Sequence, residues 1–468
     1  MKTNRTMTRT MFGAADRFAR DESGVATIFA CFMIMMMVLV GGIGVDLMHA
    51  EMERTRLQNT LDRAVLAAAD LDQSLKPSDV VTDYFEKSGM EDNLISVTVS
   101  QGLNYRTVTA AAEAVTETQF MHLMGVEELS APGRSAAEER ISKVEVSLVV
   151  DVSGSMEWNS KMTNLIDAAN TFTTSLLKPE SADLISISLV PYSEHVNISP
   201  AIFNLLNTNH RHDFSHCVEI PDYEFDNAEL DTSLTYDQAQ HYQWNYSSSD
   251  GNVVDDTVCP HEDYESILPL SQSLSDLQGN INQFTPRAGT SIFMAVKWGA
   301  ALLDPSTRGI VTSLIGSGQI DNAFSGRPAD YSDDETLKTM IVMTDGKNDR
   351  SNRIVSAAYG NNSHYVHWSN YNFWWYLNKY VSSKYHKNYY FQKYDADKGD
   401  ELTEAICTAA KDKGIIIWGV GFEVDSHGES VLKACASSPS HYFGVEGVEI
   451  SEAFSAIASQ INQLRLTQ

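Results

Sequence analysis

Apolar positions divide the chain into three regimes. Between Val25 and Val45 no residue is charged and most are apolar. As a helix this run extends about 31 Å at 1.5 Å per residue, which matches the hydrocarbon core of a bilayer. From Asp46 to residue 72 the pattern becomes that of an amphipathic helix, with Leu47, Leu57, Leu61, Val65 and Leu71 near helical spacing. Residues 94–100 and 105–115 then alternate as two strands, joined around Gly102-Leu103-Asn104 in a hairpin. Residues 117–125 read as a short helix, and 131–143, containing Pro132-Gly133, as a linker.

From Val144 apolar strands alternate with helices. Strands are expected at 144–151, 184–190, 339–344, 415–422 and, at the edge, 441–443. Helices are expected at 159–177, from Ser291, at 401–412, 428–436 and 449–464. The alternation predicts an α/β fold, a doubly wound and mostly parallel sheet with helices on both faces. The chain thus divides into a basic tail (1–24), a transmembrane helix (25–45), a small α+β unit of helix plus hairpin (46–130), the linker (131–143) and an α/β domain (144–468). Insertions interrupt that domain at about 192–285, 304–337 and 346–400. Loops of this length are functional or form a fold of their own.

The tail carries Lys2, Arg5, Arg9, Arg17 and Arg20 against Asp16, Asp21 and Glu22. Its positive balance keeps it in the cytoplasm and places everything after Asp46 on the far side of the membrane. A signal peptide has a shorter apolar region ended by a small-residue cleavage site, so an uncleaved anchor is expected. The formal charge of −28 disfavours nucleic acid as a partner, because a polyanion is repelled. Cys31 lies in the apolar run, and the four remaining cysteines allow three pairings. The local pairs Cys217–Cys259 and Cys407–Cys435 are the simplest, and they require an oxidising compartment.

The chemistry concentrates where the first strand of the α/β domain ends. In Val146-Ser-Leu-Val-Val-Asp-Val-Ser-Gly-Ser155, Asp151, Ser153 and Ser155 alternate with Val152 and Gly154, so three oxygens can converge above the strand. Ala288-Gly-Thr-Ser291 adds Thr290, and Met340-Ile-Val-Met-Thr-Asp-Gly346 adds Asp345. Carboxylates, hydroxyls and water suit a hard divalent cation, with about six near-octahedral ligands for magnesium. Two carboxylates do not fill that shell, so waters or a partner's carboxylate must complete it.

This pattern resembles the metal-ion-dependent adhesion site of von Willebrand factor A domains: Asp-x-Ser-x-Ser, then Thr, then Asp, in that order. The resemblance implies that Asp151, Ser153, Ser155, Thr290 and Asp345 hold magnesium, or alternatively calcium or manganese, directly or through water. It also implies an open coordination position for an acidic side chain of a partner. A second resemblance lies in Ser23-Gly24-Val25-Ala26 and Leu57-Gln-Asn-Thr-Leu-Asp-Arg-Ala-Val-Leu-Ala-Ala-Ala-Asp70, which look like the N-terminal pilin-like module of Tad/Flp pilus-assembly proteins. With the metal-site domain, Cys435-Ala-Ser-Ser-Pro-Ser-His-Tyr-Phe443 and Leu464-Arg465-Leu466, the chain is similar to TadG-like proteins.

That similarity implies a single-pass protein of the bacterial inner membrane with a periplasmic C-terminal domain. Its partners would be other pilus-assembly proteins or pilin. Gly24 resembles a prepilin cleavage site, but the glutamate that follows it in type IV pilins is absent, so no cleavage is expected. The alternative is a cell-surface adhesin that binds host or matrix ligands through the metal site and insertions. Recovery with the outer membrane would favour the adhesin.

Other constellations point less far. His210, His212, His216 and Cys217 fit no standard zinc spacing and read as solvated loop histidines. Segment 350–394 holds six Lys and Arg, no Asp or Glu, and aromatics from Tyr365 to Tyr390. It is either an interface or the insertion's own core. Ser153 and Ser155 lack a nearby His-Asp partner and a Gly-x-Ser-x-Gly elbow, so no enzyme activity is expected.

Overall fold

A computed structural model describes residues 23–70, 75–101, 105–140, 143–244, 251–333 and 335–467. Residues 1–22 of the expected basic tail and the expected turn at 102–104 lie outside them. The chain forms two compact units, Met1–Arg140 and Ile141–Gln468.

In the first unit the apolar run and the amphipathic segment form one helix, α1 (Ser23–Ala69). Residues Gly24–Ala69 are long and apolar enough to cross a membrane. Ile28, Phe29, Met35 and Val40 are exposed along its first half. Further on, Leu57, Leu61, Ala64, Val65 and Ala68 form a buried stripe, the spacing of one helix face. That stripe joins Val81 and Phe85 of α2 (Pro77–Lys87) in one apolar cluster.

The same cluster takes in an antiparallel sheet of β1 (Leu94–Gln101), β2 (Tyr105–Glu117) and β3 (Glu128–Arg140), in that order. Val108, Ala110, Ala112 and Ala114, every second residue of β2, are buried in it.

Two expectations fail here. The linker read at 131–143 is mostly strand: β3 pairs with β2 without a break, from Tyr105 opposite Arg140 to Glu117 opposite Glu128. Pro132 is tolerated because β3 is an edge strand, where a missing N–H interrupts no ladder. The helix read at 117–125 shrinks to a single 3-10 turn, Met121–Met124, closed by Gly125 at φ 86°.

The second unit is built on a six-stranded sheet. Its strands are β4 (Lys143–Asp151), β5 (Ile185–Tyr192), β6 (Leu268–Ser271), β7 (Thr336–Thr344), β8 (Ile416–Phe422) and β9 (Tyr442–Val445), in the order β9-β8-β7-β4-β5-β6. All neighbours are parallel except β6, which closes one edge antiparallel to β5. Side chains alternate across the sheet. Val144, Val146, Leu148 and Val150 of β4 share one core with Leu165 and Phe172 of α3 (Lys161–Leu176) and Phe454 and Ile457 of α7 (Glu449–Thr467).

Val149 belongs to the opposite core. There it joins α4 (Ile292–Ala301), α5 (Ala396–Asp412) and α6 (Ser426–Cys435). Every residue of α4 is buried, including Lys297, whose ammonium donates to the carbonyls of Glu224, Asn227 and Glu229. This is the doubly wound α/β architecture expected from the alternation of strands and helices.

The insertions are folded. The first begins after β5, but its end rejoins the sheet as β6 and the helix Leu274–Ile281, so the expected limit of about 285 is too late. Its body contains a small sheet of Asn207–Asn209, Thr235–Gln238 and Val218–Glu219 and the disulfide Cys217–Cys259. Cys407–Cys435 ties α5 to α6, so both local pairs form, while Cys31 is free and exposed.

Tyr365, Trp368 and Phe373 of segment 350–394 bury themselves with Tyr242, Trp244 and Val258 of the first insertion. They are core, although a core shared between two insertions. Tyr380, Tyr385 and Phe391 remain exposed.

Candidate metal centre

From β4 the chain steps to β5 on one side, whereas β7 lies on the other side of β4. Crossovers on the two sides leave in opposite directions, so a crevice opens at the carboxyl ends of β4 and β7. Asp151 is the last residue of β4, and Asp345 immediately follows β7. Asp151 is completely buried. Its Oδ1 accepts the Ser153 N–H at 2.8 Å, and its Oδ2 accepts the Thr344 hydroxyl at 2.6 Å. Ser153 Oγ lies 3.1 Å from Ser155 Oγ, and the Ser155 hydroxyl donates to Asp345 Oδ1 at 2.6 Å. Four of the five residues singled out in the sequence therefore form one hydrogen-bonded chain.

Thr290, the fifth, is positioned by backbone. Arg287 N–H donates to Val152 O at 2.8 Å, and Gly154 N–H donates to Ala288 O at 3.0 Å, so the Thr290 loop lies alongside the Asp-x-Ser-x-Ser turn. On its other side, Asp349 N–H donates to Thr290 O at 2.8 Å. Asn348 Oδ1 accepts the Ile292 N–H at 2.7 Å, satisfying one of the orphan donors at the start of α4. The other end of Asn348 donates to Asp400 and Thr403 of α5. The start of α6 closes in on the Asp345 loop: a Cβ on Gly428 would lie 2.5 Å from Gly346 O, so only glycine fits there.

Three participants were not singled out in the sequence. Thr344 could have been, since it directly precedes Asp345 on a buried strand. Lys161 and Glu423 carried no local signal. Asn159 and Ser160 adopt left-handed backbone (φ 56° and 59°) just before α3, and its first residue, Lys161, reaches the rim. Its Nζ lies 2.9 Å from Asp345 Oδ2 and 3.9 Å from Glu423 Oε2, and Lys161 is buried. Burial and the neighbouring Asp345 charge push the Asp151 carboxyl up to about 7, against the hydrogen bonds it accepts from Ser153 and Thr344.

The donor set fits a hard divalent cation. It offers hydroxyl oxygens and two buried carboxylates, of which Asp345 is paired with the Lys161 ammonium. Among the described residues no group of three or more His, Cys, Asp or Glu has metal-holding geometry. Hydroxyls and water would therefore supply the rest of the shell. An open cavity of about 470 Å³ reaches the rim at Gly154, Ser155 and Ala288, with Lys347 and Arg350 also lining it. The histidine group of the first insertion loses Cys217 to its disulfide, and His212 contacts Gln238 and the Ala239 carbonyl.

Comparison with known proteins yields one family. Residues 24–71 match the Tad family, described as putative Flp pilus-assembly TadE/G-like. No curated protein matches. Among solved structures, the vWF domain of the type V pili tip protein Mfa5 from Porphyromonas gingivalis aligns at 13% identity and TM-score 0.36, covering 70% of this chain and 97% of that one. The adhesive tip pilin GBS104 from Group B Streptococcus agalactiae aligns at 13% identity and TM-score 0.35, covering 68% and 100%. The pilus adhesin SpaC from Lactobacillus rhamnosus GG aligns at 13% and 0.33, covering 79% of this chain but 34% of its own length. The chain thus carries a TadE/G-like pilus-assembly segment at residues 24–71, and its structural neighbours include the vWF domain of a pilus tip protein and an adhesive tip pilin.

Proposed function

We propose that this protein is a non-catalytic, metal-dependent binding component of a tight-adherence (Flp-type) pilus assembly machine. α1 anchors it in the bacterial inner membrane with the N-terminus in the cytoplasm, and the α/β unit acts in the periplasm. The observation that carries the reading is the chain from Asp151 through Ser153 and Ser155 to Asp345, closed across the carboxyl ends of two adjacent strands. Asp151, Ser153, Ser155, Thr290 and Asp345 would hold magnesium there, with calcium or manganese as substitutes. The bound cation would supply a coordination position for an acidic side chain of pilin or of another assembly protein. Lys347 and Arg350, exposed beside the rim, favour the approach of such a group. Both disulfides suit the oxidising periplasm.

The test is capture of pilus components by the detergent-solubilised chain, with magnesium and with chelator. Capture should need the cation and should disappear in Asp151→Asn. Equal capture with chelator and in the variant would overturn the metal-dependent reading.

A further inference from the structure

We propose that the turn Phe120–Met124 is a second membrane contact, seated in the lipid interface beside the last turn of the apolar run of α1. The proposal rests on α1 being the membrane span. Asp46, the first charge after the run, is 5% exposed and spends its carboxylate on this turn. It accepts N–H donors from Gln119 at 3.1 Å, Phe120 at 2.8 Å and Met121 at 2.7 Å. The Phe120 ring lies against Gly42, where a Cβ would come within 2.2 Å of it, so the helix needs glycine to admit the ring. Gly42 precedes Asp46 by four residues, about 6 Å deeper into the run at the helical rise. The turn therefore sits alongside the end of the apolar segment, not beyond it.

Its surface suits that level. Leu123 is 76% exposed and Met124 59%, next to a helix whose Val40 and Val45 are also exposed. Between Phe120 and Val126 no residue is Asp, Glu, Lys or Arg. The backbone is prepared as well. Beyond the donors taken by Asp46, Leu123, Gly125 and Val126 donate to carbonyls of Phe120, His122 and Met121 within the turn. Paired N–H groups are what an apolar medium demands of a polypeptide. Lipid is the occupant these features select, because the exposed leucine and methionine continue the lipid-facing surface of the helix.

Spin labels measure the depth. In a Cys31→Ser background, Leu123→Cys, Ile95→Cys and Val40→Cys would each be labelled with a nitroxide in the full chain, reconstituted in phosphatidylcholine vesicles. Ile95 is an apt control: it is 64% exposed, and its neighbour Leu94 pairs with Ala112, about 20 Å back along β2 from the turn. The label at 123 should collide with oxygen in preference to a water-soluble nickel complex, as at 40, while 95 shows the reverse. A label at 123 that behaves like 95 would overturn the lipid contact and leave the span intact. A label at 123 shielded from both reagents would assign the turn to a protein partner, which also overturns it. Nickel access at 40 would remove the span reading itself.

Discussion

Two of the clusters of buried charge in the second unit are balanced differently. Between the insertions, Glu219 meets Arg353 and Lys393, with Lys393 Nζ 2.6 Å from Glu219 Oε2 and Arg353 Nε on the other oxygen, while Glu194 accepts the Ser351 hydroxyl that Arg353 also reaches. Despite burial, Arg353 and Lys393 hold the Glu219 carboxyl well below the usual range. At the rim, Lys161 pairs with Asp345 and is approached by Glu423, while Asp151 is held by neutral donors from Ser153 and Thr344. There the Asp151 carboxyl rises to about 7. Two cations on one carboxylate make the first cluster a fixture that joins two loops. The rim is short of positive charge, which is the condition a cation-binding site requires.

Removing a counter-charge should therefore act differently in the two regions. Arg353→Met leaves the buried Glu219 to Lys393 alone and removes the counter-charge of the buried Glu194, and should lower unfolding free energy by about 3–5 kcal/mol, read by denaturant titration. A loss as small as that of a surface substitution would show that the insertions do not depend on this cluster.

Next in size is a pH effect. Burial raises the Glu194 carboxyl from 4.5 to about 7, against Arg353 and the Ser351 hydroxyl. Between those values the folded protein keeps a proton that the unfolded chain has lost. Glu194 thus contributes stability that is complete below about 4.5 and disappears as pH rises through 7. The slope should reach at most about 1.4 kcal/mol per pH unit, and Glu194→Gln should flatten it. Glu219, shifted the other way, gives stability that is lost as pH falls.

At the rim the sign reverses. In Asp151→Asn, stability without divalent ion should hold or rise, because a carboxylate repelled by Asp345 is gone. The thermal stabilisation by magnesium or manganese, about 2.7 kcal/mol at a hundred times the dissociation constant, should vanish. Smallest is Lys161→Met, which deletes a cation that competes for Asp345. Calorimetric titration should show divalent ions binding about tenfold tighter, or about 1.4 kcal/mol. Weaker binding in that variant would make Lys161 a support of the site instead of a competitor.

What the sequence determined by itself lay in local pattern. The apolar run of α1, the β4 segment ending in Asp-x-Ser-x-Ser and the helix that follows the Thr290 loop were legible because period and burial agree within each segment. The short spacing of Cys217 with Cys259, and of Cys407 with Cys435, likewise made local pairs the simplest choice. Tertiary structure decided the rest. β3 reads as a linker because Pro132 and Gly133 are turn residues, and only its place at a sheet edge makes it a strand. Lys161 is an ordinary surface residue by sequence, yet two left-handed residues put its ammonium on Asp345. Asp46 looks like the first solvated charge after a membrane span, but a segment more than seventy residues away folds back to claim it. In each case a partner distant in the chain supplies the decisive contact, and no local propensity encodes which distant groups will meet.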